Sequence, residues 1–163
     1  EAMADHDVRA LRLLVLRSHY RTPMEVTPVG LEDATAALEK DPADHAFVFV
    51  TKDAAYMARV DDSAVVAVTG DRHPAWRSLD VVALHEVLLP ALLGSDEPGL
   101  RFSRDPAEVV ASVREGDYDL GVLLKALRAA EVVDVARSGE RMPQKASYFW
   151  PKAITGLVFR TLR

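Results

Sequence analysis

The spacing of apolar residues predicts two helices near the start of the chain. Between residues 8 and 20, apolar side chains recur every three or four positions, as on one face of a helix. Thr22-Pro23 ends this helix, because the residue before a proline avoids the helical conformation. Thr27-Pro28 has the residue types that cap and begin a second helix, which ends at Asp41-Pro42. Residues 1–42 are therefore predicted to form a helical hairpin arm.

The next part of the chain has the composition and period of β-strands. Residues 45–51 and 55–60 are rich in β-branched and aromatic side chains, and residues 64–69 continue the pattern. Polar turns separate these runs at Lys52-Asp53-Ala54 and at Asp61-Asp62-Ser63. The arrangement predicts an antiparallel meander of two or three strands.

The rest of the chain alternates predicted helices with predicted strands. Ser78 begins a helix expected to reach Leu93, with a kink or an early end at Pro90. Asp105-Pro106 begins another, which runs to Arg114. The other predicted elements are strands at 100–103, 118–124 and 156–162 and a helix at 127–137. Residues 43–163 are thus predicted to form an α+β domain, with a mixed or antiparallel sheet and helices on one face.

The composition suits one folded domain with the added arm. The chain has 163 residues, 49% of them hydrophobic, and no apolar run approaches the ~18 residues that cross a membrane. It has no cysteine, which excludes disulfides and thiolate metal sites and fits a reducing compartment. Residues 1–4 lack the basic and apolar regions of a secretory signal. We therefore expect a cytoplasmic protein that makes no use of a membrane.

Charge is distributed unevenly along the chain. The formal net charge is −5, which argues against nucleic acid as a partner. Residues 137–163 nevertheless carry six basic side chains and one acidic side chain. This basic end either binds an anion or docks on the acidic part of the same chain, and the sequence leaves both interpretations open.

The basic end contains an unusual loop, residues 141–152, in which two prolines and three consecutive aromatic residues accompany three cations. Cations, an amide and a hydroxyl are the groups that bind phosphate or carboxylate. The candidate ligand-binding residues are Arg141, Gln144, Lys145, Ser147 and Lys152. Tyr148, Phe149 and Trp150 either stack on a base or ring or fill the core, while the cations stay in solvent.

A second anion-binding candidate lies just before the helix that begins at Asp105-Pro106. Arg101 and Arg104 precede the helix N-terminus, where backbone amides and the helix dipole favour a negative charge. The alternative is a capping segment that carries two surface arginines.

His85-Glu86 lacks a second histidine at the spacing of a helical zinc site, and glycine-rich phosphate loops and nucleophile elbows are absent. No metal ligand or catalytic residue is predicted.

Three stretches between residues 46 and 163 resemble the C-terminal region of an uncharacterised ParB-like family of bacteria and archaea. They are Leu79-Asp80-Val81-Val82-Ala83-Leu84-His85-Glu86, Gly99-Leu100-Arg101-Phe102-Ser103-Arg104-Asp105-Pro106 and Glu140-Arg141-Met142-Pro143-Gln144-Lys145 with Phe149, Pro151-Lys152 and Gly156-Leu157-Val158. Ala146 departs from the family pattern, which has Ser after the Lys. The resemblance implies a nucleotide with magnesium as cofactor, since some ParB-type proteins are nucleotide-using free-serine kinases. The family's Asp-Gly-His-His-Arg motif is missing here.

Residues 7–40 resemble a short segment of cysteinyl-tRNA synthetase, through Val8-Arg9-Ala10-Leu11-Arg12, His19-Tyr20-Arg21-Thr22-Pro23-Met24 and Leu31-Glu32. The synthetase's nucleotide-binding signatures and zinc cysteines are missing, so aminoacylation is excluded. Binding of tRNA is the weakest hypothesis, because residues 1–40, with seven acidic and five basic side chains, are net acidic. Two unrelated resemblances in one chain indicate a recombined or designed protein.

The leading hypothesis is a domain without a complete active site. Its basic C-terminal loop is expected to bind a phosphate-bearing small molecule, or to dock a protein partner or a second copy of the chain. The alternative is the C-terminal part of a ParB-like, kinase-like enzyme that uses a nucleotide. The missing histidine and arginine motif favours the binding domain over the enzyme.

Overall fold

The computed structural model describes residues 24–30, 33–93 and 99–147. Four strands form one sheet in the order β1-β3-β2-β4, and every neighbouring pair is antiparallel. The strands are β1 (Met24–Val29), β2 (Ala46–Val50), β3 (Ala55–Val60) and β4 (Gly121–Leu124). With the helices below, this confirms the α+β class, and β2 and β3 form where the sequence predicts them.

The helices alternate with these strands along the chain. They are α1 (Ala34–Lys40), α2 (Asp62–Thr69), α3 (Pro74–Arg77), α4 (Asp80–Val82), the π-helical segment π1 (Ala83–Leu88), α5 (Leu89–Leu93), α6 (Pro106–Glu115) and α7 (Ala129–Arg137). None of the helices in these ranges is long and apolar enough to span a bilayer.

The core lies on both faces of the sheet, whereas helices were expected on one face. Successive strand residues point to opposite faces, so Phe47 and Phe49 lie on one side of β2 and Val48 on the other. Phe47 and Phe49 pack with α2, α4, π1 and α7, and Val48 packs with α1 and α6. All five residues of β2 are buried, which explains its continuous apolar sequence.

The predicted second helix of the N-terminal hairpin is wrong at its start. Thr27 and Pro28 lie in β1, opposite Met57 and Tyr56 of β3, and the helix begins only at Ala34. β1 is an edge strand of the described sheet, and an edge strand accepts a proline. Residues 24–40 therefore contribute a strand and a packed helix to the sheet. The first predicted helix, 8–20, lies outside the described residues.

The third strand of the predicted meander is also wrong, because residues 64–69 belong to helix α2. Asp61 caps this helix, and its carboxylate accepts a hydrogen bond from the Ser63 amide at 2.8 Å. Ala64 and Val65 are buried against the sheet, and both lie on the inner side of the helix. A short aspartate-rich segment can form either a turn between strands or the N-cap of a helix, and here it forms the N-cap.

The helix predicted from Ser78 to Leu93 begins at Asp80 and changes its winding in the middle. Its first turn is α-helical, residues 83–88 form π1, and α5 continues through Pro90 to Leu93. Proline lacks the amide hydrogen that continues an α-helix, so an irregular turn beside it is expected. The irregularity predicted at Pro90 is therefore the π-helical turn before it, and the helix does not end there.

The strand predicted at residues 100–103 does not form. All four residues are exposed in irregular structure, and Ser103 bonds to Glu108 and to the Asp105 amide. The next helix is confirmed as α6, with the Asp105 carboxylate accepting from the Ala107 amide at 2.9 Å. Strand 118–124 is shorter than predicted, as β4, and the predicted strand 156–162 lies outside the described residues.

Candidate functional site

Two cationic loops meet at one exposed aromatic ring. Phe102, in the loop 99–105, is 51% exposed, and the Lys145 ammonium lies 5.9 Å from its ring centroid. The His85 ring of π1 stacks on Phe102, with centroids 6.1 Å apart and ring planes at 8°. We call His85, Phe102 and Lys145 the Phe102 junction. It joins the two segments that the sequence identifies separately as anion-binding candidates.

The base of the loop that carries Lys145 is anchored to the loop before α3. Glu140 accepts hydrogen bonds from the His73 amide at 3.2 Å and from Arg72 Nε at 3.1 Å. The His73 amide and the Arg72 guanidinium hold the pKa of Glu140 below its usual value. Trp76 Nε1 donates to the Arg141 carbonyl oxygen at 3.1 Å. These bonds fix the path of the chain toward the junction.

Lys145 itself has an unusual backbone conformation. Its φ is 59°, and among the described residues it is the one non-glycine residue with a positive φ. A side chain in this left-handed conformation costs about 1–2 kcal/mol. Such conformations are retained where surrounding contacts hold them, and they cluster at binding sites. Here the turn directs the ammonium group toward Phe102.

The loop 99–105 is held by the first turn of α6. Glu108 accepts from Arg101 Nη2 at 2.5 Å and from Ser103 Oγ at 2.6 Å. Tyr118 and the Glu108 carboxylate raise the pKa of Arg101. Arg101 is therefore positioned, and its charge is partly offset by Glu108.

A cavity of about 210 Å³ opens beside this loop. Its walls come from π1, α5, α6, β4 and the loop itself. The side chains around it are mostly apolar, and Arg101, Ser103 and Glu108 stand among the few polar ones. Gly121 lets α6 pack closely on β4 there, because a Cβ at this position would lie 2.7 Å from Val109 Cγ1. The cavity and the Phe102 junction are thus adjacent.

The structure brings together part of the predicted anion-binding set. Lys145 is part of the Phe102 junction, and Arg101 directly precedes Phe102 in the chain. Arg104 is exposed in the same loop as Arg101. Gln144 and Ser147 are exposed in the loop of Lys145. The Arg141 side chain is exposed, while its carbonyl anchors the loop to Trp76. Lys152 and the aromatic residues Tyr148, Phe149 and Trp150 lie outside the described residues.

A second polar group lies at the start of β2. His45 is 1% exposed, and its Nδ1 lies 3.3 Å from Asp80 Oδ1. Its Nε2 lies 3.9 Å from Asp62 Oδ1 and has no hydrogen-bond partner among the described residues. Burial raises the pKa of Asp80, although the hydrogen bond to His45 opposes this shift. We call His45, Asp62 and Asp80 the His45 cluster.

The His45 cluster has the residue types of an acid–base catalytic site, but a substrate cannot reach its histidine ring. A catalytic histidine must reach its substrate, and this ring is closed off from solvent. No group of three histidine or acidic side chains in the described ranges is arranged to hold a metal ion. The cluster therefore connects β2 to the first turns of α2 and α4, and its role is structural.

Sequence reasoning missed Phe102 and His85 as members of the site. The apolar pattern predicts a strand at 100–103, which contains Phe102, and a helix from Ser78 to Leu93, which contains His85. The available signal was Arg101-Phe102-Ser103-Arg104, where an aromatic residue lies between cations just before a helix. The π-helical winding that sets the position of His85 has no sequence signal beyond Pro90.

Comparison with known protein families, curated proteins and solved structures finds no match to this chain. The ParB-like and synthetase-like resemblances therefore stay predictions. Within the synthetase-like segment 7–40, residues 24–29 form β1 and residues 34–40 form α1.

Proposed function

We propose that this protein is a binding domain for a phosphate-bearing small molecule, which it holds at the surface formed by the loops 99–105 and 141–147. The observation that carries the proposal is the position of Lys145 over the exposed ring of Phe102. This contact places a second cation beside the arginine-bearing loop. Two loops that lie far apart in the sequence thereby contribute to one cationic surface.

Each loop contributes a different kind of donor. Arg101 has a planar guanidinium with five N–H donors, and Glu108 engages one of its terminal nitrogens. Lys145 contributes a compact charge on a flexible stem. Gln144 and Ser147, exposed on the same loop as Lys145, supply neutral hydrogen bonds. A phosphate suits this set, because two cations and two neutral donors match its several acceptor oxygens.

The experiment measures binding of inorganic phosphate, pyrophosphate, ADP and ATP, with and without magnesium, by thermal shift and calorimetry. A ligand at 100 times its dissociation constant stabilises the fold by about 2.7 kcal/mol, which a melting curve detects. The variant R101A/K145A is expected to bind at least about tenfold more weakly, since it loses two charged donors. Added salt is expected to weaken binding to the parent.

The matched control is K52A/R114A, which removes the same two charges from exposed positions outside the two loops. It is expected to bind like the parent. Equal binding by R101A/K145A and the parent would contradict the proposal, and so would a flat response to every anion. A preference for ATP over inorganic phosphate would favour the nucleotide-dependent enzyme.

A further inference from the structure

We infer that the ligand is a phosphate monoester with a short apolar group, alkyl or aryl, which enters the cavity beside Phe102. The inference rests on the proposed function, since the cationic loops hold the phosphate. It adds the chemical class of the remainder of the ligand.

The cavity walls are apolar on three sides. Leu84 and Leu89 approach from π1 and α5, Val109 from α6, and Val122 and Leu124 from β4. Such walls offer few hydrogen bonds, so a sugar or a polar head group would lose its hydration without replacement. An alkyl chain or an aromatic ring instead gains by leaving water.

The size of the cavity limits the apolar group. An enclosed apolar cavity of ~150 Å³ accommodates a benzene ring. The space here, about 210 Å³, therefore suits one ring or a chain of similar bulk. A long acyl chain or a two-ring system would extend past the exposed Leu100 and Phe102 side chains into solvent.

The polar groups at the cavity fix the orientation of the ligand. Arg101 and Ser103 belong to the lining, and they come from the same loop as Phe102. Lys145 belongs to the other loop. Its ammonium group lies 5.9 Å from the ring centroid of Phe102, which also lines the cavity. A phosphate at this edge leaves its ester oxygen facing the apolar walls. The lining thus contains both a charged donor and apolar walls.

The test is a calorimetric titration of the full chain with methyl, butyl, hexyl and phenyl phosphate, with hexanol as the uncharged probe. Each added methylene that enters the cavity is expected to tighten binding about fourfold, and phenyl phosphate is expected to bind at least about tenfold more tightly than methyl phosphate. Hexanol is expected to bind far more weakly than hexyl phosphate. Equal affinities for methyl and hexyl phosphate would overturn the inference and leave the proposed function standing. No binding of any phosphate would overturn both.

Two variants check that the tail enters this cavity. S112L places an apolar side chain at a lining position of α6 and is expected to remove the difference between hexyl and methyl phosphate, with methyl phosphate unaffected. L100A removes an exposed apolar wall and is expected to reduce the hexyl preference severalfold. Its matched control is V133A, because Val133 is 45% exposed, close to the 47% of Leu100, and lies on α7 away from the lining. An unchanged hexyl preference in both cavity variants would overturn the placement of the tail.

Discussion

The Phe102 junction and the His45 cluster both place a histidine beside charged side chains, but they differ in burial and in the sign of the charge. At the junction, Phe102 and Lys145 are exposed and lie in loops, and the charge is the cation of Lys145. The cluster has a buried histidine between two carboxylates at the starts of two helices, with the Asp80 side chain 13% exposed and that of Asp62 69% exposed. Exposed cations keep their hydration until a ligand replaces it, so they are suited to binding. A buried histidine has already exchanged water for protein, so its interactions contribute to the fold.

The largest effect is expected from H45A, which should lower the free energy of unfolding by about 2–4 kcal/mol. The substitution leaves a cavity at the start of β2 and removes the hydrogen-bond partner of Asp80, whose side chain is 13% exposed. Urea unfolding monitored by circular dichroism measures the change. H85A is the control at the junction, where a half-buried ring is lost, and it is expected to cost less than about 1 kcal/mol. Similar costs for the two variants would remove the distinction between the regions.

A smaller effect than that of H45A is expected in the pH dependence of the free energy of unfolding, through Asp80 of the His45 cluster. Burial raises the pKa of Asp80 in the folded protein, with Glu131 adding to the shift and His45 and Lys125 opposing it. The folded state therefore holds this proton more tightly than the unfolded state. This contribution is fully present below the ordinary carboxyl pKa and is lost as the pH rises through the folded pKa.

Asp80→Asn is expected to remove that loss, because the amide does not ionise. Urea unfolding at a series of pH values from 4 upward, compared between parent and variant, gives the difference directly. The stability of the parent is expected to fall relative to that of the variant as the pH rises through this range. A difference that stays constant with pH would show that burial does not control this carboxyl.

The sequence predicts the fold well where local signals and burial agree. β2 and β3 have apolar runs bounded by turn residues, and α6 has both an aspartate cap and a proline at its first position. Prediction fails where one local signal serves two structures. Asp61 suits a turn and a helix cap, and only the burial of Ala64 and Val65 against the sheet decides between them.

The candidate site is predictable only in its parts. The cations of both loops are visible in the sequence, because they flank a helix start and an unusual proline-rich segment. Their meeting at Phe102 depends on the contacts of Glu140 and Trp76 with residues more than sixty positions away in the chain. The apolar cavity depends on the packing of α6 against β4 at Gly121, which no local pattern encodes.

The smallest expected effect separates the backbone of Lys145 from its charge. The variants K145G and K145A both lose the ammonium group, but only glycine adopts a φ of 59° without strain. K145G is therefore expected to be more stable than K145A by about 1 kcal/mol, while both bind phosphate equally weakly. Urea unfolding and phosphate titration of the two variants measure both quantities. Equal stability would show that the turn at Lys145 is not strained, and stronger phosphate binding by K145G than by K145A would show that the backbone conformation contributes to affinity apart from the charge.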